Sequence, residues 1–387
     1  MNEQRKIRVA VVFGGRSTEH SVSCASAGMI LGAIDRSRYE VVPVGIARDG
    51  RWVVLPRGDD PPQTPPALGG LPAPQPPRWD PSGVPGESVT PGSLPVLQTP
   101  SESAAVFPGQ ALRDVDVVLP LLHGTYGEDG TIQGLLEMTG VRYAGAGVLA
   151  SAAGMDKEYM KLLFAARGLP VGPYVVVRDR DWTAGEAERR KVLDEVSGLG
   201  FPVFVKPARG GSSIGTSRVD SVDSLETAIS AAREHDRKVL VEAFVPGVEI
   251  ECAVLEGLDG SVPEASLPGQ VIVDPDATWY DFEAKYLGAG TGMEIPAPIP
   301  DADIERIRQL ACTAFEAIDC EGLARVDFFY TTSGEILVNE INTMPGMTPA
   351  SGFPRMWAAT GLPLPELIDR IVQTALRKPP GTGTGPR

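Results

Sequence analysis

The spacing of short apolar runs restricts the fold of this 387-residue chain more than any other feature of its sequence. Up to Ala166, valine-rich runs alternate with stretches in which apolar residues recur every three or four positions. They predict strands at Arg8–Phe13, Val41–Ile46 and Val115–Pro120, and helices at Val22–Ala33, Gly130–Thr139 and Asp156–Ala166. Strand–helix–strand alternation is typical of a parallel sheet with helices on its faces, so this part is predicted to be α/β.

From Phe201 onwards the pattern changes, because several strand-like runs are separated by connections of hairpin length. Strands are predicted at Phe201–Lys206, Thr216–Val219, Val239–Phe244, Glu249–Glu256, Leu323–Tyr330 and Ile336–Ile341. Helices are predicted at Val222–His235, Asp303–Ile318 and Leu364–Leu376. Short connections join antiparallel strands, so this part of the chain is predicted to be α+β with antiparallel sheets.

A proline-rich segment interrupts the first part of the chain. Fourteen of the 36 prolines lie between Pro56 and Pro100, with glycines among them. Proline fits poorly into helices and interior strands, so residues 56–100 are predicted to be an irregular surface insertion or a partly disordered loop. A second low-complexity stretch, residues 379–387, is predicted to be a flexible tail.

The composition argues against several classes of protein. Lysine and arginine number 35 against 50 acidic residues, and a net charge of −15 opposes general nucleic-acid binding. The apolar run Val9–Phe13 has five residues, far short of the ~20 that span a bilayer, so no membrane association is expected. The four cysteines are scattered, without a CxxC pair. We therefore expect reduced thiols and a cytoplasmic location.

Two predicted strands carry polar side chains on one face. Residues two apart on a strand point to the same side, so Arg325 shares a face with Asp327, and Glu340 shares one with Asn342. If these strands are neighbours, three hard oxygen ligands converge, which suits Mg²⁺ that keeps waters and bridges substrate phosphates. Arg325 would then contact a phosphate or an oxyanion. The alternative is a solvated polar face, which the apolar flanks of both segments oppose.

Two glycine-rich loops follow predicted strands. In Lys206–Gly215 (KPARGGSSIG), backbone N–H groups can turn towards phosphate oxygens, although the Walker A pattern is absent and a ligand-free hairpin is an alternative. His123–Gly130 (HGTYGEDG) follows a strand, where open α/β sheets place functional loops. The turn Gly14–Ser23 (GGRSTEHSVS) lacks G-x-G-x-x-G, which argues against NAD binding.

These loops and strands belong to a larger set of motifs that spans nearly the whole chain outside residues 56–100 and the termini. The set is GGRSTEHSVS (14–23), HGTYGEDGTIQG (123–134), GMDKEYMK (154–161), FVKPARGGSSIG (204–215), VEAFVPGVEIE (241–251), YDFEAKYL (280–287), GLARVDFF (322–329) and NEINTMPGMTPASGFPRMW (339–357). In this order and spacing, the chain resembles the D-alanine–D-alanine ligases of the ATP-grasp superfamily.

The resemblance implies an N-terminal Rossmann-like parallel-sheet domain (1–153), followed by central (154–247) and C-terminal (248–378) ATP-grasp domains that enclose ATP between antiparallel sheets. It implies that the carboxylate of one D-alanine attacks the γ-phosphate of ATP. The amine of a second D-alanine then attacks the acyl phosphate, and phosphate leaves. ATP and two Mg²⁺ ions, which Mn²⁺ can replace, are the expected cofactors. A homodimer that serves peptidoglycan precursor synthesis is expected.

The resemblance assigns one group of residues to ATP and its metal ions. The implied contacts are Lys157, Lys206, Gly211 and Ser213 at the phosphates, Glu242, Phe244 and Phe329 at the adenine, Glu249 at the ribose, Val245 elsewhere on ATP, and Asp327, Glu340 and Asn342 at Mg²⁺. Lys206 would also lie near the adenine. Phe244 and Phe329 would sandwich the ring, although both also alternate as core residues do, and Glu242 could be an ordinary strand-end acid.

A second group is assigned to the D-alanines. The implied contacts are Glu19 and His123 for the first substrate, Lys285 and Tyr286 in a closing loop, Arg325 and the Gly346 N–H for the tetrahedral oxygen, and Ser351 for the carboxylate of the second substrate. Ser212, Glu19 and Tyr286 would share one hydrogen-bond network. Gly352 departs from the family pattern, which often has a larger apolar residue there, so the size limit of the second pocket is open.

Two other functions compete with dipeptide formation. A D-alanine–D-lactate ligase of the glycopeptide-resistance type would share the fold and the ATP chemistry. The closing segment Thr278–Leu287 (TWYDFEAKYL) favours the dipeptide-forming class, because the depsipeptide class lacks its Lys–Tyr pair. A non-catalytic nucleotide-binding regulator would be expected to have lost Arg325 or a metal ligand, and all of them are present. The sequence does not separate D-alanine from D-serine at the second site.

Overall fold

The structure, a computed structural model, describes residues 5–55, 106–273 and 291–378. The proline-rich insertion 56–100, the closing segment 278–287 and the tail 379–387 lie outside the described residues. Three sheets follow one another along the chain, and helices pack against each of them.

The first sheet has five strands in the order β3-β2-β1-β4-β5. They are β1 (Ile7–Gly14), β2 (Tyr39–Ile46), β3 (Trp52–Val54), β4 (Val117–Leu121) and β5 (Arg142–Tyr143), accompanied by helices α1 (His20–Ala33), α2 (Pro108–Ala111) and α3 (Thr131–Thr139). The predicted parallel arrangement is confirmed for four strands, whereas β3 adds an antiparallel edge. Residues Val9–Phe13 are all buried, because elements cover both faces of the sheet.

The second sheet is antiparallel, in the order β6-β9-β7-β8. Its strands are β6 (Tyr174–Arg178), β7 (Val203–Pro207), β8 (Ser217–Val219) and β9 (Lys238–Ala243), and its helices are α6 (Asp179–Thr183), α7 (Glu186–Ser197) and α8 (Val222–Arg233). Alternate residues of the strands, such as Val203 and Val205, are buried in one core with Leu225 and Ile229 of α8. The other face of β7 and β9 carries Lys206 and Glu242, together with Phe204 and Leu240.

The third sheet has six antiparallel strands, in the order β13-β12-β10-β14-β15, with β11 paired to β10. The strands are β10 (Gly247–Leu255), β11 (Glu264–Ala265), β12 (Gly269–Val273), β13 (Thr291–Glu294), β14 (Leu323–Thr331) and β15 (Ile336–Asn342), with a 3-10 helix at Leu258–Gly260 and helix α9 (Asp301–Ala317). A register shift skips Asn339, so that Asp327 is opposite Glu340 while Phe328 is opposite Val338. Phe328 and Val338 consequently point into the core beneath α9.

Four further helices connect the sheets: α4 (Val148–Met155), α5 (Lys157–Ala166), α10 (Gly352–Ala359) and α11 (Leu364–Arg377). Met160 and Phe164 of α5 share a core with the third sheet. Leu367 of α11 shares a core with strands of the first sheet. The last helix therefore returns to the N-terminal part of the chain, and the predicted boundaries at residues 153 and 247 stay a prediction.

Two further observations bear on the class of protein. All four cysteines lie in described segments, and all are free thiols. None of the helices in residues 5–55, 106–273 and 291–378 combines the length and the apolar composition needed to cross a bilayer.

Candidate active site

A row of acidic side chains crosses the third sheet. Glu251 on β10, Asp327 on β14 and Glu340 on β15 occupy directly opposed positions, and Asn342 is opposite Arg325. Opposed residues project from the same face of a sheet. The structure therefore brings together the four residues selected from the sequence. It adds Glu251, which the sequence reasoning missed because its partner strand could not be known.

Arg325 is fixed by two carboxylates on this face. Its Nε and Nη2 donate to the two Asp327 carboxylate oxygens, both at 2.7 Å. Its Nε also lies 3.5 Å from Glu251 Oε1. Bidentate pairing holds the plane of a guanidinium as well as its position. Arg325 is thus a pre-oriented cation on β14, between β10 and β15.

The donor set on this face fits Mg²⁺. Asp327 and Glu340 offer carboxylate oxygens and Asn342 an amide oxygen, which are the hard donors that Mg²⁺ prefers. Within the described ranges, no three His, Cys, Asp or Glu side chains are arranged to hold a metal ion by themselves. Two carboxylates and one amide instead suit an ion that takes its remaining ligands from water and substrate phosphates.

A second charged cluster is buried between the second and third sheets. Glu242 of β9 forms ion pairs with Lys206 of β7 and with Lys161 of α5, the latter at 3.0 Å. Burial opposes the charge on Glu242, but Lys161 and Lys206 outweigh it and lower the pKa of Glu242 to about 2. Burial likewise opposes the charge on Lys206, whose pKa is nevertheless raised by Glu242, Glu340 and Glu249. Sequence reasoning missed Lys161, although it lies one helical turn after Lys157.

A small pocket opens beside this ion-pair cluster. Its lining includes Lys161 of α5, Glu242 and Ala243 of β9, Val245 of the β9–β10 connection, Phe329 of β14 and Val338 of β15. Phe329 and Val245 thus lie where a planar base could pack. Phe244 lies outside this pocket: its side chain is 45% exposed, 6.3 Å from the Phe204 ring and 5.8 Å from the Arg218 guanidinium carbon. Phe244 is therefore not a core residue, and its role at the adenine stays a prediction.

The glycine-rich loop after β7 adopts an unusual backbone conformation. Ser212 and Ser213 have φ of 52° and 59°, the left-handed region that side chains disfavour. Such conformations cost ~1–3 kcal/mol each and concentrate at ligand clamps. Gly211 beside them is exposed, and Lys157 Nζ donates to the Gly210 carbonyl at 2.6 Å. This geometry agrees with the predicted phosphate loop and places Lys157 against it.

Ion pairs hold the base of this loop and the start of α5 together. Lys238 Nζ lies 2.6 Å from Asp156 Oδ1 and 2.9 Å from Glu158 Oε2. Arg209 forms a bidentate pair with Asp236 at 2.6 and 2.9 Å. Asp156 also accepts the Tyr159 N–H as the N-terminal cap of α5. The position of Lys157 relative to the loop is therefore set by several buried charges.

The first sheet contributes Glu19 and His123. Glu19, buried just before α1, accepts a hydrogen bond from the Ser212 hydroxyl. His123 Nδ1 lies 2.9 Å from the Met344 carbonyl, and its Nε2 lies 3.1 Å from Ser26 Oγ. Burial lowers the pKa of His123. The negative charge of Glu19 and the hydrogen bond to the Met344 carbonyl act in the opposite direction, but burial has the larger effect. A neutral ring that donates from Nδ1 and accepts at Nε2 satisfies both contacts.

Glu128 joins the first sheet to the segment after β15. Its carboxyl oxygens accept the Gly124 N–H at 2.6 Å and the Met344 N–H at 3.3 Å. Burial, with a further contribution from Glu19, raises the pKa of Glu128 to about 8. Gly124 has φ of 72°, and a Cβ there would clash with Glu19, so only glycine fits. Glu128 is therefore a buried link between the loop after β4 and the segment after β15.

The segment after β15 ends at the start of α10. Ser351 Oγ accepts the Thr348 N–H at 3.1 Å, and a Cβ at Gly346 would lie 2.7 Å from this oxygen. Gly346 and Ser351 are therefore adjacent, as their predicted roles around the second substrate require. Lys285 and Tyr286 lie outside the described residues, so the Glu19–Ser212 hydrogen bond is the described part of the predicted three-residue network.

Two models of known protein families match this chain. A family model described as D-ala D-ala ligase N-terminus matches residues 8–146, and one described as D-ala D-ala ligase C-terminus matches residues 163–373. The chain belongs to the D-alanine–D-alanine ligase family. The family predicted from the motifs is thereby confirmed.

Individual relatives extend over nearly the whole chain. A D-alanine–D-alanine ligase of Kineococcus radiotolerans is 52% identical over 385 residues, covering 98% of this chain and 100% of that protein. One of Arthrobacter sp. (strain FB24) is 51% identical over 383 residues, covering 97% and 96%.

The fold of this chain is similar to that of solved ligase structures. The D-alanine-D-alanine ligase from Coxiella burnetii has a TM-score of 0.73 and 33% identity, covering 96% of this chain and 94% of that one. The VanG D-Ala:D-Ser ligase from Enterococcus faecalis has a TM-score of 0.73 and 30% identity, covering 96% and 100%. The predicted ATP-grasp fold class is confirmed.

Proposed function

We propose that this chain joins two D-alanines to D-alanyl-D-alanine at the expense of ATP, and that its product serves peptidoglycan synthesis. The observation that carries the proposal is the intact Arg325–Asp327–Glu340–Asn342 face in a chain that matches such ligases over 97–98% of its length. The family uses ATP and Mg²⁺. The oxygen donors of Asp327, Glu340 and Asn342 fit Mg²⁺ that also binds substrate phosphates. ADP and phosphate are the other products.

The first step is the attack of a D-alanine carboxylate on the γ-phosphorus of ATP, with ADP as the leaving group. Phosphoryl transfer depends on positioning and charge neutralisation rather than on covalent protein chemistry. We assign Lys157, Lys206, Gly211 and Ser213 to the phosphates, Glu242, Val245 and Phe329 to the adenine, and Glu249 to the ribose. Mg²⁺ held by Asp327, Glu340 and Asn342 would neutralise phosphate charge.

The second step is the attack of the second D-alanine's amine on the carbonyl carbon of the acyl phosphate. Negative charge then develops on the carbonyl oxygen, and we assign Arg325 and the Gly346 N–H to stabilise it. The C–O bond to phosphate breaks and the attacking nitrogen releases a proton to water, so that the peptide bond is neutral and phosphate departs with an oxygen that began in the first D-alanine. Asp327 serves this step by holding the guanidinium in a fixed plane.

The remaining residues of the site are assigned to the two D-alanines. We assign Glu19 and His123 to the first D-alanine, with Ser212 orienting Glu19 through its hydroxyl. Ser351 and the N–H groups at the start of α10 are assigned to the carboxylate of the second D-alanine, because helix N-termini favour anions. The roles of Lys285 and Tyr286 in closure, and of Phe244 at the adenine, stay predictions.

Competition between acceptors tests the proposal. The protein is incubated with ATP, Mg²⁺, D-alanine and equimolar D-lactate and D-serine, and the products are identified by mass spectrometry. We expect D-alanyl-D-alanine to predominate, together with ADP and phosphate. A predominant D-alanyl-D-lactate or D-alanyl-D-serine would contradict the acceptor assignment, and the absence of ATP-dependent product would contradict ligase activity.

We further propose that the protein is a homodimer, as the family resemblance implies. Light scattering after size exclusion should give twice the 41.0 kDa chain mass; a mass of one chain would contradict it. The cytoplasmic location stays a prediction.

A further inference from the structure

Other side chains fill the space beside Gly352 that a larger residue at this position would occupy. A Cβ built on Gly352 would clash with Glu251 Oε2 and would lie 2.6 Å from Met293 Cε. These two side chains come from β10 and β13, not from α10. The departure at Gly352 therefore does not enlarge the site, because residues from two strands of the third sheet, which β12 separates, occupy the volume of the missing side chain.

Glu251 is held in this position by its surroundings. Its side chain is 4% exposed, and its Oε1 lies 3.5 Å from Arg325 Nε. Arg355, in the first turns of α10, donates to the Met293 carbonyl at 3.1 Å. Burial lowers the pKa of Arg355, and the negative charge of Glu251 counteracts this. Glu251 is therefore a buried carboxylate beside Arg325, and removing either partner of this pair would leave an uncompensated charge.

We propose that Glu251, together with Met293, determines the size and the charge of the second-substrate pocket; this inference rests on the ligase function proposed above. The two residues lie against Gly352, next to Ser351, which is assigned to the acceptor carboxylate. Met293 and the body of Glu251 limit the acceptor's side chain. The Glu251 carboxylate adds a fixed negative charge close to Arg325.

This charge gives a chemical basis for acceptor choice. D-Alanine enters as a zwitterion with no net charge, whereas D-lactate is a net anion without an ammonium group. Arg325 and Arg355 offset part of the Glu251 charge, so Glu251 sets the difference between the site with its carboxylate and the site without it. Relative to a neutral side chain, the carboxylate favours an ammonium group and disfavours a net anion, and burial makes this effect stronger than it would be in water. Glu251 thus makes the pocket selective for small D-amino acids over D-hydroxy acids.

Four variants separate size from charge. Glu251→Ala removes the bulk and the charge of the side chain, and Glu251→Gln keeps its bulk and removes its charge. Met293→Ala removes bulk without changing any charge. Glu335→Gln is the matched control, because Glu335 is an exposed glutamate in the turn between β14 and β15 of the same sheet. Each protein is given ATP, Mg²⁺ and D-alanine with equimolar D-2-aminobutyrate, and separately with equimolar D-lactate. Product ratios and the KM values for both D-alanines are measured.

We expect Glu251→Ala and Met293→Ala to raise the share of D-alanyl-D-2-aminobutyrate by about tenfold or more, since one methylene in a pocket is worth ~10–200-fold in discrimination. Glu251→Gln should keep the size preference and raise the D-lactate share. KM should rise for the second D-alanine and not for the first. Glu335→Gln should match the wild type.

Unchanged product ratios in the Glu251 variants, or equal KM increases for both D-alanines, would overturn the inference. If the Glu251 variants do not fold, Met293→Ala decides: an unaltered size preference overturns the proposal. These failures are distinct from failure of the proposed function, in which the wild type itself would form no D-alanyl-D-alanine.

Discussion

At the scale of residues, Glu242 owes its charge to Lys161 and Lys206. Lys161 is 3% exposed, pairs with Glu242 Oε1 at 3.0 Å and donates to the Asn339 carbonyl at 3.3 Å. That carbonyl belongs to the residue that the β14–β15 register shift skips. Lys161 therefore ties α5 to both antiparallel sheets, at the wall of the pocket assigned to adenine.

Replacing Lys161 by alanine should weaken both the fold and ATP binding. Removing one partner of a buried ion pair costs ~3–5 kcal/mol, because the remaining charge is left uncompensated. We expect a loss of this size in the free energy of unfolding, measured with urea, and a raised KM for ATP. Lys191→Ala, which breaks an exposed pair with Glu188, should cost less than ~0.5 kcal/mol. Equal losses in both variants would contradict the role of Lys161.

Glu128 should make stability depend on pH. Its pKa of about 8 in the folded state lies above the ordinary 4.5, so the folded protein holds an extra proton between these values. Its contribution to stability is complete below pH 4.5. As the pH rises from 4.5 to about 8, the free energy of unfolding falls by ~1.4 kcal/mol per pH unit, and above the folded pKa the contribution is lost. Urea unfolding at pH 5.5, 7 and 8.5 should show this decline.

The comparison variant is Glu128→Gln, which cannot titrate. Its amide places an NH₂ group against one of the two N–H donors, so the slope with pH, rather than the absolute stability, is the informative quantity. A shallower decline is expected in this variant. The same slope in both proteins would show that Glu128 is not the titrating group.

At the scale of elements, the loop after β7 and the start of α1 meet through one hydrogen bond. Ser212, in a left-handed conformation, donates to the buried Glu19 carboxylate. The energy lost in holding Ser212 and Ser213 in this conformation is therefore partly offset by a contact between two sheets. This coupling aligns the phosphate loop with the residues assigned to the first D-alanine.

A double-mutant cycle of Ser212→Ala and Glu19→Gln measures this coupling. Contacting residues typically interact by ~0.5–3 kcal/mol, so the double variant should lose less unfolding free energy than the sum of the single variants. Ser197→Ala serves as a control, because the Ser197 hydroxyl donates to the Leu193 carbonyl within α7. Additive losses for Ser212 and Glu19 would mean that the hydrogen bond does not couple the two elements.

Elements with strong apolar periodicity could be predicted from the sequence, and weakly patterned ones could not. Helix α8, with four buried residues at helical spacing, was predicted to within two residues of its end. Helix α7 (EAERRKVLDEVS) buries only Val192 and Val196, so its pattern carries little signal. Strand β3 is three residues long and forms by pairing with β2, which local sequence does not encode.

At the scale of the whole molecule, the candidate site is assembled from three sheets. The first supplies Glu19 and His123, the second supplies Lys206 and Glu242, and the third supplies the Arg325 face. The family resemblance assigns a role to each of these residues, which is why the sequence could select it. Glu251, Glu128 and Lys161 act through partners distant in the chain, so their roles depend on packing that a single sequence does not reveal.

The central claim is that ATP activates the carboxylate of the first D-alanine as an acyl phosphate. The most direct test supplies D-alanine with ¹⁸O in both carboxylate oxygens, together with ATP and Mg²⁺ in unlabelled water. The account predicts one ¹⁸O in each inorganic phosphate formed, seen by mass spectrometry, with the other retained in the peptide carbonyl. Phosphate without label, formed together with D-alanyl-D-alanine, would contradict the acyl phosphate and the roles assigned to the site.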